Sequence, residues 1–224
     1  MRYTATGCAK APPAAAVIMG DWHDGFTDPA VIECTFGPGG IVERSDAAHI
    51  IWHDTVDGYS VNHHHGKNPF NRIAKRMSGL DDARAEVNRA VESVRKYGAG
   101  RKSIIVGSNH DDFLTRWIIE GCWKSDPTNA EYYLETALMM VRACKMGPGG
   151  AEYPSPVPYW FDKAGIPGVR LLRGGESFVL ANVELGMHGH QGPNGARGSI
   201  KNLRRIGLRS ITGHPHSPGE DEGC

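Results

Sequence analysis

The sequence predicts an α/β fold whose working residues sit on loops at one edge of a sheet. Three observations carry this. Short β-branched runs punctuate the chain, each run stops in a cluster of Asp, Asn or His, and helical stretches lie between them. Short apolar runs halted by Gly or Asp read as buried strands. Open α/β sheets bind their ligands outside the carboxyl ends of the strands.

The first run, Ala14–Met19, enters Gly20, Asp21 and His23. The second ends at Trp52 and enters His53, Asp54 and Asp57. The third, "KSIIV", enters Asn109, His110 and Asp111. A more alternating run, "SFVLANVELGMHGH", ends in His188 and His190, and a last one, "LRSITGHPHSP", ends in His214 and His216. Between the second and third runs, Pro69 to about Tyr97 has helical spacing. Gly79 is expected to divide it, with Asp81 or Asp82 capping the second helix. Asp126-Pro127-Thr128 opens a helix that runs through Cys144, with Pro in its first turn. Ser199–Ile206 reads as a short basic helix, and the Pro-rich stretch 147–160 as a loop able to act as a lid.

A chain of 224 residues suits a single domain spanning 1–224. Lys and Arg total 25, as do Asp and Glu, so the formal charge is zero. No global basic field draws the chain to nucleic acid or membrane, and an anionic partner must be met locally. The five cysteines are scattered and form no CxxC pair. That argues against a disulfide framework and a zinc knuckle, and for a reducing, cytoplasmic setting. The apolar stretch at 14–19 is too short to span a membrane. Eleven histidines are present, and only His49 lies inside an apolar run. Neutral imidazole is the commonest protein metal ligand.

Gathered at one sheet edge, these Asp, Asn and His residues form a set suited to two divalent cations. Carboxylate oxygen and imidazole nitrogen accept Mn, Fe or Zn, and no thiolate selects zinc alone. A carboxylate can bridge two metals through its two oxygens, so an Asp in the middle of the set is the natural bridge. The ordered series "GDWH" (20–23), "HDTVDG" (53–58), "SNHD" (108–111), "MHGH" (187–190) and "GHPH" (213–216) resembles the calcineurin-like metallophosphoesterase superfamily. Each block alone is a weak signal; five in order, each after a strand-like run, are a strong one.

The resemblance implies a sandwich of two mixed β-sheets flanked by helices. It implies one metal held by Asp21, His23 and His216, a second by Asn109, His188 and His214, and Asp54 bridging them. Manganese is the first expectation, with Fe, Zn or Mg as alternatives. His110 would face the substrate as general acid or as a cation stabilising the transition state, oriented by Asp111, and His190 would touch the phosphate. The reaction implied is in-line attack on phosphorus by a metal-bridging hydroxide. Two features depart from the family pattern. The second block begins His53-Asp54 where Gly-Asp is usual, and the chain stops eight residues after His216, where further strands usually follow. Either the fold closes early or the chain is shortened at its C-terminus.

The segment 56–76 resembles phage-encoded members of the superfamily, some of which look like DNA-degrading enzymes. It offers His63–His65 and then Lys67, Arg72, Lys75 and Arg76. His64, Lys67 and Arg72 are the expected contacts to a phosphodiester backbone, which cationic side chains grip by charge. A DNA-cleaving nuclease is therefore the leading expectation, in the host cytoplasm where the chain is phage-encoded. A phosphatase or phosphodiesterase for small molecules such as nucleotides is the alternative, and a non-catalytic scaffold that keeps the fold is a third. Oligomeric state stays open, a homo-oligomer included.

Overall fold

The computed structural model describes residues 13–66, 68–147, 150–152, 155–173, 175–196, 198–215 and 219–221. The chain begins with β1 (Ala16–Met19), α1 (Pro29–Phe36), α2 (Ile41–Ser45) and β2 (His49–Trp52). There follow the one-turn α3 (His63–Gly66), α4 (Pro69–Met77), α5 (Ala83–Tyr97), β3 (Lys102–Val106), α6 (Asp111–Glu120) and α7 (Ala130–Ala143). The ribbon β4 (Lys145–Gly147) and β5 (Gly150–Glu152) leads to α8 (Pro156–Ala164) and β6 (Val169–Leu172). A second ribbon, β7 (Val179–Leu180) and β8 (Val183–Glu184), precedes the short α9 (Ile200–Leu203).

The main sheet has the order β1-β2-β3-β6, and every pairing in it is parallel. Met19 lies opposite Trp52, and Trp52 opposite Ile105. The first three strands therefore end level, and their polar clusters emerge side by side. Strand order follows chain order, so right-handed crossovers gather the connecting helices on one face of the sheet. On that face Ile50, Trp52 and Ile105 pack with Val87, Ala90, Val91 and Val94 of α5, and with Trp22 and Phe161. On the opposite face Ile51, Ile104, Val106 and Leu172 pack with Leu185, Phe178, Leu180 and Val183, beneath the β7–β8 ribbon. The alternation of strand side chains thus serves two separate cores.

Local chemistry sets the boundaries. Asp82 caps α5 by accepting from the Ala85 N–H at 2.8 Å. Asn68 caps α4 ahead of Pro69 by accepting from the Phe70 N–H at 3.0 Å. Gly79, at φ +65, turns the chain between the two helices as expected. Ala181 and Asn182, at φ +52 and +63, form the tight β7–β8 turn, whose two positive angles match the twist of a hairpin.

Several sequence expectations need correction. The α/β class holds, but the main sheet is parallel rather than mixed. Among the described residues, the second layer is a two-stranded ribbon rather than a full sheet. The last run, expected as a strand, contributes one parallel bridge, Ser210 with Glu184. The Pro-rich stretch 147–160 contains β5 and most of the first turns of α8, with Pro156 at the helix start; residues 148, 149, 153 and 154 lie outside the described set. Strand β6 was not expected: "VRLL" is short, carries a charge, and sits at the sheet edge, where apolar patterning is weakest. Among the described residues no helix is long and apolar enough to cross a membrane.

Ile104 is 4 % exposed, so Ile104→Ala is expected to cost about 2–5 kcal/mol in urea denaturation. Val141, at 72 % exposed, should change stability by no more than about 0.5 kcal/mol when replaced by Ala.

Candidate metal centre

The loops after β1 and β2 run side by side beyond the sheet. The Trp22 N–H donates to the His53 carbonyl at 3.1 Å, and the His23 N–H to the Asp54 carbonyl at 2.8 Å. Asp21, His23 and Asp54 all adopt positive φ, at +47, +42 and +49. Non-glycine residues there are uncommon, although Asp, Asn and His tolerate the region best. Strain of this kind costs about 1–3 kcal/mol per residue and clusters at functional sites. It turns these side chains inward to one point.

That point is the carboxylate of Asp54, which is 1 % exposed. Its Oδ2 lies 3.8 Å from His23 Nε2 on one side and 3.3 Å from His188 Nε2 on the other. His188 Nε2 is also 3.0 Å from Asn109 Oδ1 on the loop after β3. The His188 and His214 rings are 5.2 Å apart, and His190 stands 5.4 Å from His188. Ligand atoms of His23, Asp54 and His110 lie within 4.8 Å of one another, close enough to hold a metal ion.

Backbone contacts bring the last two blocks into the site. The Gly213 and His214 N–H groups both donate to the His188 carbonyl, at 3.1 and 2.9 Å. Gly213 sits against the fully buried His53, and a Cβ at 213 would lie 2.7 Å from His53 Cβ. The bulky residue at the start of the second block is thus accommodated by the glycine that begins the fifth. Both ring nitrogens of His53 are buried without a hydrogen-bond partner among the described residues. Burial lowers its pKa to about 4, so the ring is neutral; Asp21 offsets this in part.

His110 is oriented differently from expectation. Its Nδ1 meets the Asp57 carbonyl at 2.6 Å, which places the ring proton on Nδ1 and leaves Nε2 for the site. Asp111, expected to orient His110, instead accepts from the Ser108 N–H at 3.1 Å. At the start of α6 its buried side chain is best placed to cap its own loop. Asp57, the second aspartate of the second block, has a part that the resemblance itself does not assign. Its carboxylate lies 3.1 Å from His23 Nδ1, so one residue steadies both His23 and His110. A carboxylate on the far nitrogen of a ligating histidine fixes its tautomer and orientation. The Asp-x-x-Asp spacing of the second block carried that signal.

The electrostatics of the centre are dominated by burial. It raises the Asp54 carboxyl to about 7; Ser108 and His23 pull it back, while neighbouring Asp21 pushes it up further. Burial also raises Asp111 to about 7, against the Ser108 hydrogen bond. His188 is driven far down by burial and by the surrounding histidines. His110 is lowered by burial, against the pull of its Asp57 hydrogen bond. For His23, burial is outweighed by Asp57 and Asp54, and its pKa is raised. Burial thus favours the neutral ring at His53, His110 and His188, whereas His23, beside Asp57 and Asp54, holds its proton more tightly, and the Asp54 carboxyl needs nearby positive charge to ionise fully.

The structure draws Asp21, His23, Asp54, Asn109, His110, His188, His190 and His214 to one edge. Expected ligand His216 and expected contact Lys67 lie outside the described residues. His64 and Arg72 stand away from the centre. Arg72 donates to the Ser125 carbonyl at 3.1 Å, beside a cleft of about 740 Å³ between α4 and the 116–129 segment.

Fold and site together define an α/β chain with a His/Asp cluster able to hold a metal ion. The chain is similar to Protein A1 of Escherichia phage T5, with 31% identity over 210 residues. The match takes in 88% of this chain and 36% of the phage protein, so the chain spans about a third of that relative's length. No family model matches the chain, and no solved structure matches it.

Two predictions follow from this geometry. Gly213→Ala should lower the melting temperature, and His53→Gly in the same chain should restore most of the loss, since the clash is between these two residues. A carboxyl whose folded pKa lies above its unfolded value of about 3.9 withdraws stability as pH rises between the two. Metal-free Asp54→Asn should thus be more stable than the parent at pH 8, by about 1–2 kcal/mol. The gain should fade as pH drops from 7 toward 4, as read by denaturant titration in EDTA.

Proposed function

We propose that this chain is a metal-dependent phosphodiesterase that cleaves nucleic acid, DNA first, on a calcineurin-like metallophosphoesterase framework. The observation that carries the reading is the position of Asp54. A single buried carboxylate stands between His23 and His188, imidazoles contributed by opposite loops, at 3.8 and 3.3 Å. Buried polar atoms ordinarily find partners. Here Asp54 Oδ1 and His188 Nδ1 are buried without a hydrogen-bond partner among the described residues. A cluster so supplied with unspent lone pairs fits cations.

In this reading Asp21, His23 and His216 would hold one divalent ion, Asn109, His188 and His214 would hold another, and Asp54 would serve both. The donor set of nitrogen and oxygen is compatible with Mn, Fe, Zn or Mg, with Mn the first choice. Divalent cations supply Lewis-acid charge to phosphate oxygens and lower the pKa of water toward neutrality. The protein's own groups do the rest. Asp57 holds His23 and His110 in register. His110, with its Nδ1–H committed to the Asp57 carbonyl, would face the leaving oxygen with Nε2 and would donate a proton from that atom in its imidazolium form, which burial disfavours and the Asp57 hydrogen bond favours. His190, 5.4 Å from His188, lines the place where a phosphate oxygen would lie.

Two features support nucleic acid as substrate. Similarity to a phage protein agrees with a phage-encoded enzyme. The segment after Asp54 also carries Arg72 and Arg76, which line the cleft beyond α3, while Lys75 is buried against the Tyr59 and Ser60 carbonyls. A zero formal charge favours a second reading, a phosphoesterase for small molecules. Salt separates the two, because each phosphate contact to a polymer steepens the salt dependence of binding.

In Mn²⁺ the purified chain should cleave DNA, and EDTA should abolish cleavage. Asp54→Asn should reduce it to background. His110→Ala should slow turnover by about 10²–10⁴-fold while metal content, measured by elemental analysis, stays near that of the parent. Undiminished turnover in EDTA would contradict the proposal, and a parallel loss of metal in His110→Ala would make His110 a ligand instead of an acid.

A further inference from the structure

A roomy cleft lies beyond Phe113 from the candidate centre and shares no residue with it. It holds about 740 Å³, within the range of pockets that enclose small organic ligands. Its lining mixes apolar side chains, Val61, Ile73, Met77 and Trp117, with charged ones of both signs. Ile73 and Met77 are 55 % and 83 % exposed, although they share one face of α4 at helical spacing. The cleft is also held open from its own sides. Arg72 reaches the Ser125 carbonyl at 3.1 Å, and Arg76 bonds Thr128 and Asp81, so α4 is braced against the turns that follow α6.

Polar groups converge on the same space. Asn62 spends its Oδ1 on the His64 N–H at 2.9 Å, which leaves its amide N–H groups to donate. Arg116, in contact with His63 at 3.4 Å, brings a cation to the cleft wall. A line of rings joins this wall to the centre. His110 lies 5.1 Å from Phe113, and Phe113 lies 5.4 Å from His63. Gly58 makes room for this line, since a Cβ there would meet Phe113 at 2.8 Å.

A ligand suited to this space has a flat apolar body, hydrogen-bonding edges and an anionic group at one end. A nucleobase carrying its phosphate has all three. Aromatic and apolar walls accept any base by its π-face, which is how single strands are held with little sequence preference. We infer that the cleft is a nucleotide pocket, receiving the base of a nucleotide that neighbours the scissile phosphodiester. Arg116 meets the adjoining phosphate, and Asn62 meets the base edge. The placement beside the centre rests on the phosphodiesterase reading above; the pocket itself does not. A base held there must leave its stack, so the substrate is single-stranded or locally opened.

The test is calorimetric titration of the full chain with deoxyadenosine monophosphate in EDTA, where no cation at the centre can take the phosphate. One saturable site is expected. Its affinity should fall at least tenfold in Ile73→Glu and in Met77→Glu, both exposed positions whose fold is checked by circular dichroism. Asp54→Asn should bind as the parent does, and inorganic phosphate at equal concentration should not compete. Absence of binding, affinity unchanged by both cleft variants, or equal competition by phosphate would overturn the pocket. Binding that depends on Ile73, in a chain that cleaves no phosphodiester in any metal, would uphold the pocket and overturn the nuclease reading.

Discussion

The arrangement depends on one constraint, the burial of the Asp54 carboxylate at a meeting point of four loops. A carboxyl group 1 % exposed, with an aspartate and three imidazoles around it, is costly to ionise in the absence of compensating charge. The fold tolerates this because the parallel sheet beneath it is well packed on both faces. The helices cover one side through Ile50, Trp52 and Ile105, and the β7–β8 ribbon covers the other through Ile51, Ile104 and Val106. With the strands ending level, the loops after β1, β2 and β3 have little freedom in where they deliver their side chains.

Strain and close approach complete the delivery. Positive φ at Asp21, His23 and Asp54 would be unfavourable on an unconstrained loop. Here the paired backbone of 22–24 with 53–55 over-determines it. The glycine at 213 lets the fifth block lie directly against His53, and the His188 carbonyl holds that block through two N–H donors. Asp57 then acts on two rings at once, through its carboxylate to His23 and its carbonyl to His110. The strain and the buried charge at this edge are offset by packing in the two cores.

Much of this was legible in the sequence, for identifiable reasons. Strands β1, β2 and β3 are β-branched runs bounded by Gly and Asp, and their signal is local. The break at Gly79 and the cap at Asp82 are likewise local. The convergence of Asp21, His23, Asp54, Asn109, His188 and His214 followed from one rule, that polar clusters at carboxyl strand ends share an edge. What escaped depends on tertiary context. Strand β6 owes its existence to the free edge of β3 rather than to its own pattern. The last run failed as a strand because its bridge to Glu184 is confined to Ser210. Asp111 was misassigned because adjacency to His110 in sequence says nothing of which way a helix-start carboxylate turns. The cleft between α4 and α6 could not be read at all, since it is made by two separate segments, 60–81 and 116–129, that only the fold brings together.

If Asp54 is shared between two cations, as proposed above, metal must bind on both sides of its carboxylate. The direct measurement is anomalous diffraction from crystals of the chain grown in Mn²⁺. Two peaks are expected, about 3.5–4 Å apart, one toward Asp21 and His23, the other toward Asn109, His188 and His214, with the Asp54 carboxylate between them. Peaks confined to the histidines of α3, or no bound metal at this edge in crystals that contain it in the mother liquor, would contradict it.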